Sequence, residues 1–159
     1  MKQYAFYPGC AAKGACPELY QSSRLIAAEL GIELVELTDA TCTGAGVVQE
    51  QDPELGLAMN ARTFAMAERL GLDLLTICGT CQGVMSQANC RLREDEACRK
   101  RVNGVLSKDG PSYQGGVQVK HLLWALITDV GLDRLKTLVT KPLHYLRVAP
   151  FYGCYILRP

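Results

Sequence analysis

The sequence predicts an α/β fold: a small parallel sheet of about four strands, with helices on both faces and cysteines at the carboxyl ends of the strands. Short apolar runs alternate with longer helical patterns along the 159-residue chain. Glycine, proline and aspartate mark most of the boundaries between these segments. The run DLLTI at 73–77 lacks the polar alternation of a half-exposed strand, which is typical of a strand buried in a parallel sheet. Strands that alternate with helices favour this architecture.

The first part of the chain contains two predicted strands, at 3–7 and 32–37. A helix is predicted between them from Pro17 to Gly31, because proline favours the first turn of a helix and glycine often follows its last turn. The segment 39–46 is predicted to be a loop, since it is rich in glycine, threonine and aspartate.

The remaining elements follow the same reasoning. A helix is predicted at 53–71, after the capping residue Asp52, and is followed by the buried strand at 73–77 and a further helix. The charged segment 94–108 is predicted to be a solvated helix, and the apolar segment 119–130 another helix. A fourth strand is predicted at 145–152.

Eight cysteines are the most informative residues. Some of them follow predicted strands within a few residues, namely Cys10, Cys42, Cys78, Cys81 and Cys154. The carboxyl ends of parallel strands lie at one edge of a sheet, where binding sites form. The first four of these thiols, here named the cysteine quartet, are therefore expected to converge. The others are assigned to structural or surface positions: Cys16, Cys90 and Cys98.

The spacing of the quartet indicates a metal centre. Cys78 and Cys81 form a C-x-x-C that opens a helix, where free N–H groups and the helix dipole stabilise a thiolate. Structural zinc sites usually pair two such motifs, whereas one motif joined by two single loop cysteines also occurs around iron–sulfur clusters. Zinc remains an alternative, and so does a set of small buried core residues. His121 and His144 have no ligand partner at short spacing and are assigned to packing or surface roles.

Charge and composition exclude several classes of binding partner. The formal net charge of +1 provides no general attraction to nucleic acid or to an anionic membrane. No apolar run approaches the length of a membrane span, and the amino-terminal segment is too short for a signal peptide, so a cytoplasmic location is expected. In a reducing compartment, metal binding or redox chemistry is a commoner role than disulfide formation for so many cysteines.

The cysteine pattern resembles the cysteine-rich "CCG" domain found in the B subunit of heterodisulfide reductase. The matching segments are FYPGC at 6–10, ELVELTDATCTGAG at 33–46, NARTFAMAERLGLDLLTICGTCQGV at 60–84 and PFYGCYILRP at 150–159. The resemblance implies two motifs in tandem, each with an unusual non-cubane [4Fe-4S] cluster held by five cysteines. The quartet would supply the ligands of the first cluster: Cys10, Cys42, Cys78 and Cys81.

The resemblance also implies a domain division. Residues 1–146 would form the first CCG domain, and 147–159 the start of a second, truncated repeat. Cys154 would be the first cysteine of that second motif, whose other cysteines are absent. The chain is thus expected to be the amino-terminal half of a longer protein.

Thr43 departs from the family pattern, which has a second cysteine directly after the residue equivalent to Cys42. A hydroxyl is a poor, hard substitute for a bridging thiolate. The expected centre therefore has four cysteine ligands and is an ordinary cubane, an incomplete non-cubane cluster, or zinc.

The leading functional prediction is an iron–sulfur electron-transfer or catalytic subunit of a heterodisulfide-reductase-like oxidoreductase, acting on a disulfide or related substrate. The resemblance implies flavin and ferredoxin-like iron–sulfur subunits as partners, and a homo-oligomer could cover surface that a second half would bury. One alternative is a zinc-stabilised assembly domain. Another is a metal-free thiol–disulfide protein that uses Cys78 and Cys81.

Overall fold

Four parallel strands form the centre of the computed structural model, which describes residues 2–106, 110, 112–150 and 153. The strands are β1 (Lys2–Tyr7), β2 (Ile32–Glu36), β3 (Leu74–Thr76) and β4 (Val119–His121). Their order across the sheet is β2-β1-β3-β4, and every pairing in it is parallel. The predicted α/β class is therefore confirmed.

Helices connect the strands and extend beyond them. They are α1 (Cys10–Gly14), α2 (Pro17–Glu29), α3 (Val47–Gln51), α4 (Pro53–Arg69), α5 (Gly79–Glu94), α6 (Glu96–Leu106), α7 (Leu122–Ala125) and α8 (Leu132–Leu138). The predicted start of α4 is confirmed, because Asp52 accepts a hydrogen bond from the Leu55 N–H at 3.0 Å. A π-helical turn, Leu126–Val130, joins α7 to α8. None of the helices in the described ranges is long and apolar enough to cross a membrane.

Two apolar cores cover the two faces of the sheet. Successive side chains of β1 alternate between them, as the period of two requires. Ala5 and Tyr7 belong to the core formed with α4, α5 and α6, whereas Tyr4 and Phe6 belong to the core formed with α1, α2 and α7. The prediction of helices on both faces is thus confirmed.

Two sequence assignments are wrong. The start of the predicted helix at 119–130 is β4, which pairs with β3 from Leu74–Val119 to Thr76–His121, and helical structure begins only at Leu122. The predicted strand at 145–152 is not formed by 145–150, which carry no strand structure, and 151–152 lie outside the described residues. A three-residue strand is too short to show a period of two, so the apolar run across the junction suggested one continuous helix.

Asp129 fixes the π-helical turn against the sheet. Its carboxylate accepts hydrogen bonds from Lys120 Nζ at 2.9 and 3.0 Å and forms an ion pair with Lys2 Nζ at 3.0 Å. The phenol of Tyr4 donates to the same carboxylate. This contact ties the last helices to β1 and β4, away from the strand ends that carry cysteine.

Candidate metal centre

Cys10 follows β1 after a tight turn through Pro8 and Gly9, and it begins α1. Gly9 has a φ of +83°, a conformation that favours glycine. A Cβ added at Gly9 would lie 3.3 Å from Cys81 Sγ and 3.5 Å from Cys78 Cβ. The loop after β1 therefore passes directly against the C-x-x-C that follows β3.

Cys42 lies in the loop between β2 and α3, and its side chain is exposed. The backbone N–H of Gly44 donates to Cys42 Sγ over 3.5 Å. Asn60 of α4 anchors the same loop, since its Nδ2 donates to the carbonyl oxygen of Thr43 at 2.9 Å. The loop position of Cys42 agrees with the sequence prediction.

Cys78 and Cys81 form a hydrogen-bonded pair at the start of α5. Cys78 is the N-cap residue, and its Sγ accepts from the Cys81 N–H over 3.5 Å. The Cys81 thiol, together with the backbone N–H groups of Cys81 and Thr80, lowers the pKa of Cys78 to about 6, although burial opposes this. The hydrogen bond to Cys78 and burial raise the pKa of Cys81. The pair therefore favours the thiolate at Cys78 and the protonated thiol at Cys81.

Tyr7 is the common neighbour of the quartet. Its side chain is 4% exposed, and its hydroxyl donates to the carbonyl oxygen of Thr41 at 3.0 Å. Burial raises the pKa of Tyr7, and the charges of four thiols raise it further: Cys81, Cys42, Cys10 and Cys78. The four cysteines that follow three different strands are thus all close enough to affect the titration of one buried phenol.

The quartet has an open side and a packed side. Cys10 and Cys42 are exposed, and both line a cleft of about 400 Å³ that also includes Tyr7 and Lys13. Cys81, in contrast, is buried in the core between the sheet and α4. A group held by the quartet would face solvent on the side of the two loop cysteines.

The remaining described cysteines do not follow strand ends. Cys16 is the N-cap residue of α2, and Cys98 is fully buried within the core. Cys90 is exposed on α5, where its thiol donates to Glu94 Oε1 at 3.1 Å. Cys154, with the second motif predicted from it, lies outside the described residues.

Sequence reasoning missed Tyr7 as a neighbour of the site. Tyr7 is predicted from the sequence only as the end of a strand. The alternation of side chains between the two faces of β1 could have placed it below the cysteines. His121 ends β4, and burial lowers its pKa. Its Nδ1 accepts from the Leu123 N–H at 3.2 Å, so it caps α7, in line with the predicted packing role. His144 is exposed.

The donor set consists of soft thiols, which both zinc sites and iron–sulfur clusters use. Within the described residues, no three cysteine, histidine or acidic side chains are close enough together to hold one metal ion. Thiolates on a tetrahedral zinc lie about 3.8 Å apart, because each Zn–S bond is about 2.3 Å. A [4Fe-4S] cluster places one thiolate on each iron and so accepts a wider arrangement. The buried hydroxyl of Thr43, which has no regular hydrogen-bond partner, lies beside Cys81.

Comparison with known proteins identifies the family. A family model described as a cysteine-rich domain, CCG, matches residues 4–86. The chain belongs to the CCG cysteine-rich domain family. The matched segment runs from β1 into α5 and contains the whole quartet. The resemblance found in the sequence is therefore confirmed.

Two relatives match nearly the whole chain. The 8-methylmenaquinol:fumarate reductase membrane anchor subunit of Wolinella succinogenes is 42% identical over 158 residues, which are 99% of this chain and 54% of the relative. The B subunit of the ferredoxin/F420H2-dependent CoB-CoM heterodisulfide reductase of Methanosarcina acetivorans is 32% identical over 160 aligned residues, or 100% of this chain and 53% of the relative. The chain thus spans about half the length of these relatives.

A solved structure supports the fold. The crystal structure of a hypothetical protein from Helicobacter pylori aligns with a TM-score of 0.68 and 19% sequence identity, over 79% of this chain and 25% of that one. At this identity the likeness concerns the architecture alone.

Proposed function

We propose that the quartet holds a [4Fe-4S] centre and that the chain is an iron–sulfur subunit of a heterodisulfide-reductase-like oxidoreductase, acting on a disulfide or related substrate. The observation that carries the proposal is the placement of four thiols after the carboxyl ends of three parallel strands, where Gly9 brings the loop of Cys10 against Cys81. The relatives named as subunits of heterodisulfide reductase and fumarate reductase support a redox role.

Each part of the site has a chemical task in this proposal. The bound centre would accept and release electrons one at a time. Cys78 is already prepared as a ligand, because the Cys81 thiol and the first N–H groups of α5 favour its thiolate. Tyr7 keeps water from the side of the site that faces the sheet, and the cleft beside Cys10 and Cys42 leaves the other side accessible.

Partners and location belong to the same proposal. The chain would work with flavin and ferredoxin-like iron–sulfur subunits and with a second CCG motif that begins near Cys154. The relatives are about twice as long as this chain, which supports the second motif. The division at 146/147 and the cytoplasmic location stay predictions.

Anaerobic reconstitution with iron and sulfide tests the centre. We expect a brown protein whose broad visible absorbance is bleached by dithionite, with about four irons per chain as a [4Fe-4S] centre requires. Mössbauer spectra then distinguish a cubane from an incomplete non-cubane cluster. A colourless protein that retains one zinc per chain would instead support the assembly domain, and folded protein without metal would overturn both.

A metal-free thiol–disulfide protein is the second candidate. The lowered pKa of Cys78 favours it, because a thiolate at neutral pH is the attacking species in exchange. This candidate predicts that Cys78→Ser abolishes thiol–disulfide exchange in protein whose iron and zinc contents are at background.

A further inference from the structure

Thr43 carries a buried hydroxyl without a regular hydrogen-bond partner. Its side chain is 2% exposed, and no donor or acceptor in the described part of the chain satisfies its Oγ1 with normal geometry. A buried polar group of this kind costs free energy unless it gains a partner. Its neighbour at the site is the thiol of Cys81. The hydroxyl is therefore placed beside an expected ligand, where it favours the thiolate form of Cys81 against the larger effects that raise the pKa of that thiol.

The surrounding loop determines where this hydroxyl lies. Asn60 Nδ2 donates to the carbonyl oxygen of Thr43 at 2.9 Å and to that of Gly56 at 2.7 Å, so the loop is attached to α4. The next residue, Gly44, has a φ of +73°, and a Cβ there would lie 3.0 Å from Val48 Cβ. These attachments leave little freedom for the backbone at Thr43, and a β-branched side chain adds stiffness at χ1.

We propose that the Thr43 hydroxyl donates a hydrogen bond to the sulfur of iron-bound Cys81 and thereby raises the reduction potential of the centre. This inference rests on the proposed function. A thiol uses its proton, whereas a metal-bound thiolate has none and accepts more strongly. The reduced centre carries one more negative charge than the oxidised one, so a hydrogen bond to its sulfur stabilises it more. Hydrogen bonds to the sulfurs are one of the main influences on iron–sulfur potentials.

The test compares Thr43→Val with Thr43→Ser in the full chain. After anaerobic reconstitution, Thr43→Val should hold as much iron as wild type, because valine keeps the shape and removes only the hydroxyl. Its reduction potential, measured by spectroelectrochemical titration, should fall by about 59 mV, which corresponds to a tenfold change in the one-electron equilibrium constant. Thr43→Ser should retain most of the wild-type potential. Metal-free Thr43→Val should unfold no more easily than wild type, since the lost hydroxyl had no regular partner.

Thr63→Val is the matched control. Thr63 is also buried, and its Oγ1 donates to the Met59 carbonyl oxygen within α4 at 3.3 Å. This variant should keep the wild-type potential. Equal potentials for wild type and Thr43→Val would overturn the inference, as would a clear loss of metal-free stability in Thr43→Val. A wild-type chain that takes up no cluster would overturn the proposed function and this inference together.

Discussion

Gly9 lies so close to Cys81 that a Cβ on Gly9 would be 3.3 Å from the Cys81 sulfur. This approach joins the loop after β1 to the C-x-x-C after β3. A methyl group on Gly9 would enter the space between the loop that carries Cys10 and the turn that carries Cys78 and Cys81. We therefore expect Gly9→Ala to lower the iron content of the reconstituted protein strongly, as measured by iron analysis of desalted samples.

Gly31 provides the control for this substitution. Its φ of +71° resembles the +83° of Gly9, but a Cβ at Gly31 would meet nothing within 4 Å. Gly31→Ala should lose about 1–2 kcal/mol in urea denaturation, because alanine is strained at positive φ. Gly9→Ala should lose about 1–3 kcal/mol, because the φ of +83° and ψ of 156° at Gly9 lie in a region that essentially only glycine adopts. Only Gly9→Ala should lose iron, and equal iron contents in the two variants would contradict the close-contact account.

In metal-free, reduced protein, the Cys78 thiol should react faster than the Cys90 thiol. Its pKa is lowered to about 6, whereas a hydrogen bond to the carboxylate of Glu94 raises the pKa of the more exposed Cys90. We expect iodoacetamide to label Cys78 several-fold faster than Cys90 at pH 7, since lower basicity offsets part of the gain in thiolate. The rate at Cys78 should fall by half as the pH falls to about 6. Peptide mass spectrometry reads both sites, and faster labelling of Cys90 would refute the assignment.

Serine substitution tests the quartet residue by residue. Each single Cys→Ser change in it removes one soft ligand, so reconstituted iron should fall well below wild type. The same change at Cys16 or Cys90 should leave iron content and visible absorbance unchanged, because neither thiol follows the end of a strand. Iron loss in the Cys90 variant, or full iron in the Cys42 variant, would show that the ligand set is different.

Asp129 should stabilise the fold in a pH-dependent way. Although burial favours the protonated carboxyl, hydrogen bonds from Tyr4, Lys120 and Lys2 hold the pKa of Asp129 well below its usual range. Its contribution is therefore complete above about pH 4 and is lost as the pH falls further. Asp129→Asn should cost about 1–3 kcal/mol at pH 7, because charge-assisted hydrogen bonds are lost. The difference from wild type, measured by urea denaturation, should shrink below pH 4.

Asp133→Asn is the comparison for that experiment. The Asp133 side chain is fully exposed and only approaches Lys136 Nζ at 3.4 Å. Exposed pairs of this kind contribute little. The Asp133 variant should match wild type across the pH range, and a loss equal to that of Asp129→Asn would argue against a specific contact at the π-helical turn.

The placement of the four cysteines after strand ends could be predicted, because the end of a strand can be recognised from the residues around it. Cys10, Cys42 and the C-x-x-C each follow a recognisable strand, and a parallel sheet brings such ends to one edge. The fourth strand was assigned to the wrong segment, since β4 has three residues and continues into an apolar helix. Whether the quartet binds a centre stays a prediction.

Contacts between distant segments could not be predicted from the same signals. The hydrogen bond from Tyr7 to Thr41 joins residues 34 positions apart, and no periodicity reports it. Thr43 was recognised as a departure from the family pattern, but its burial beside Cys81 depends on how α4 packs against the loop. Such features depend on tertiary packing rather than on the local sequence.

Because Cys10 and Cys42 are exposed and Cys81 is buried, a bound centre would have one side open to solvent and one side covered by the core. Oxygen and chelators would reach Cys10 and Cys42 first, because these ligands line the open cleft. The sulfur of Cys81 lies behind Gly9 and within the core. Degradation of the centre would therefore proceed from the loops inward, and the corner held by α5 would be the last to release its iron.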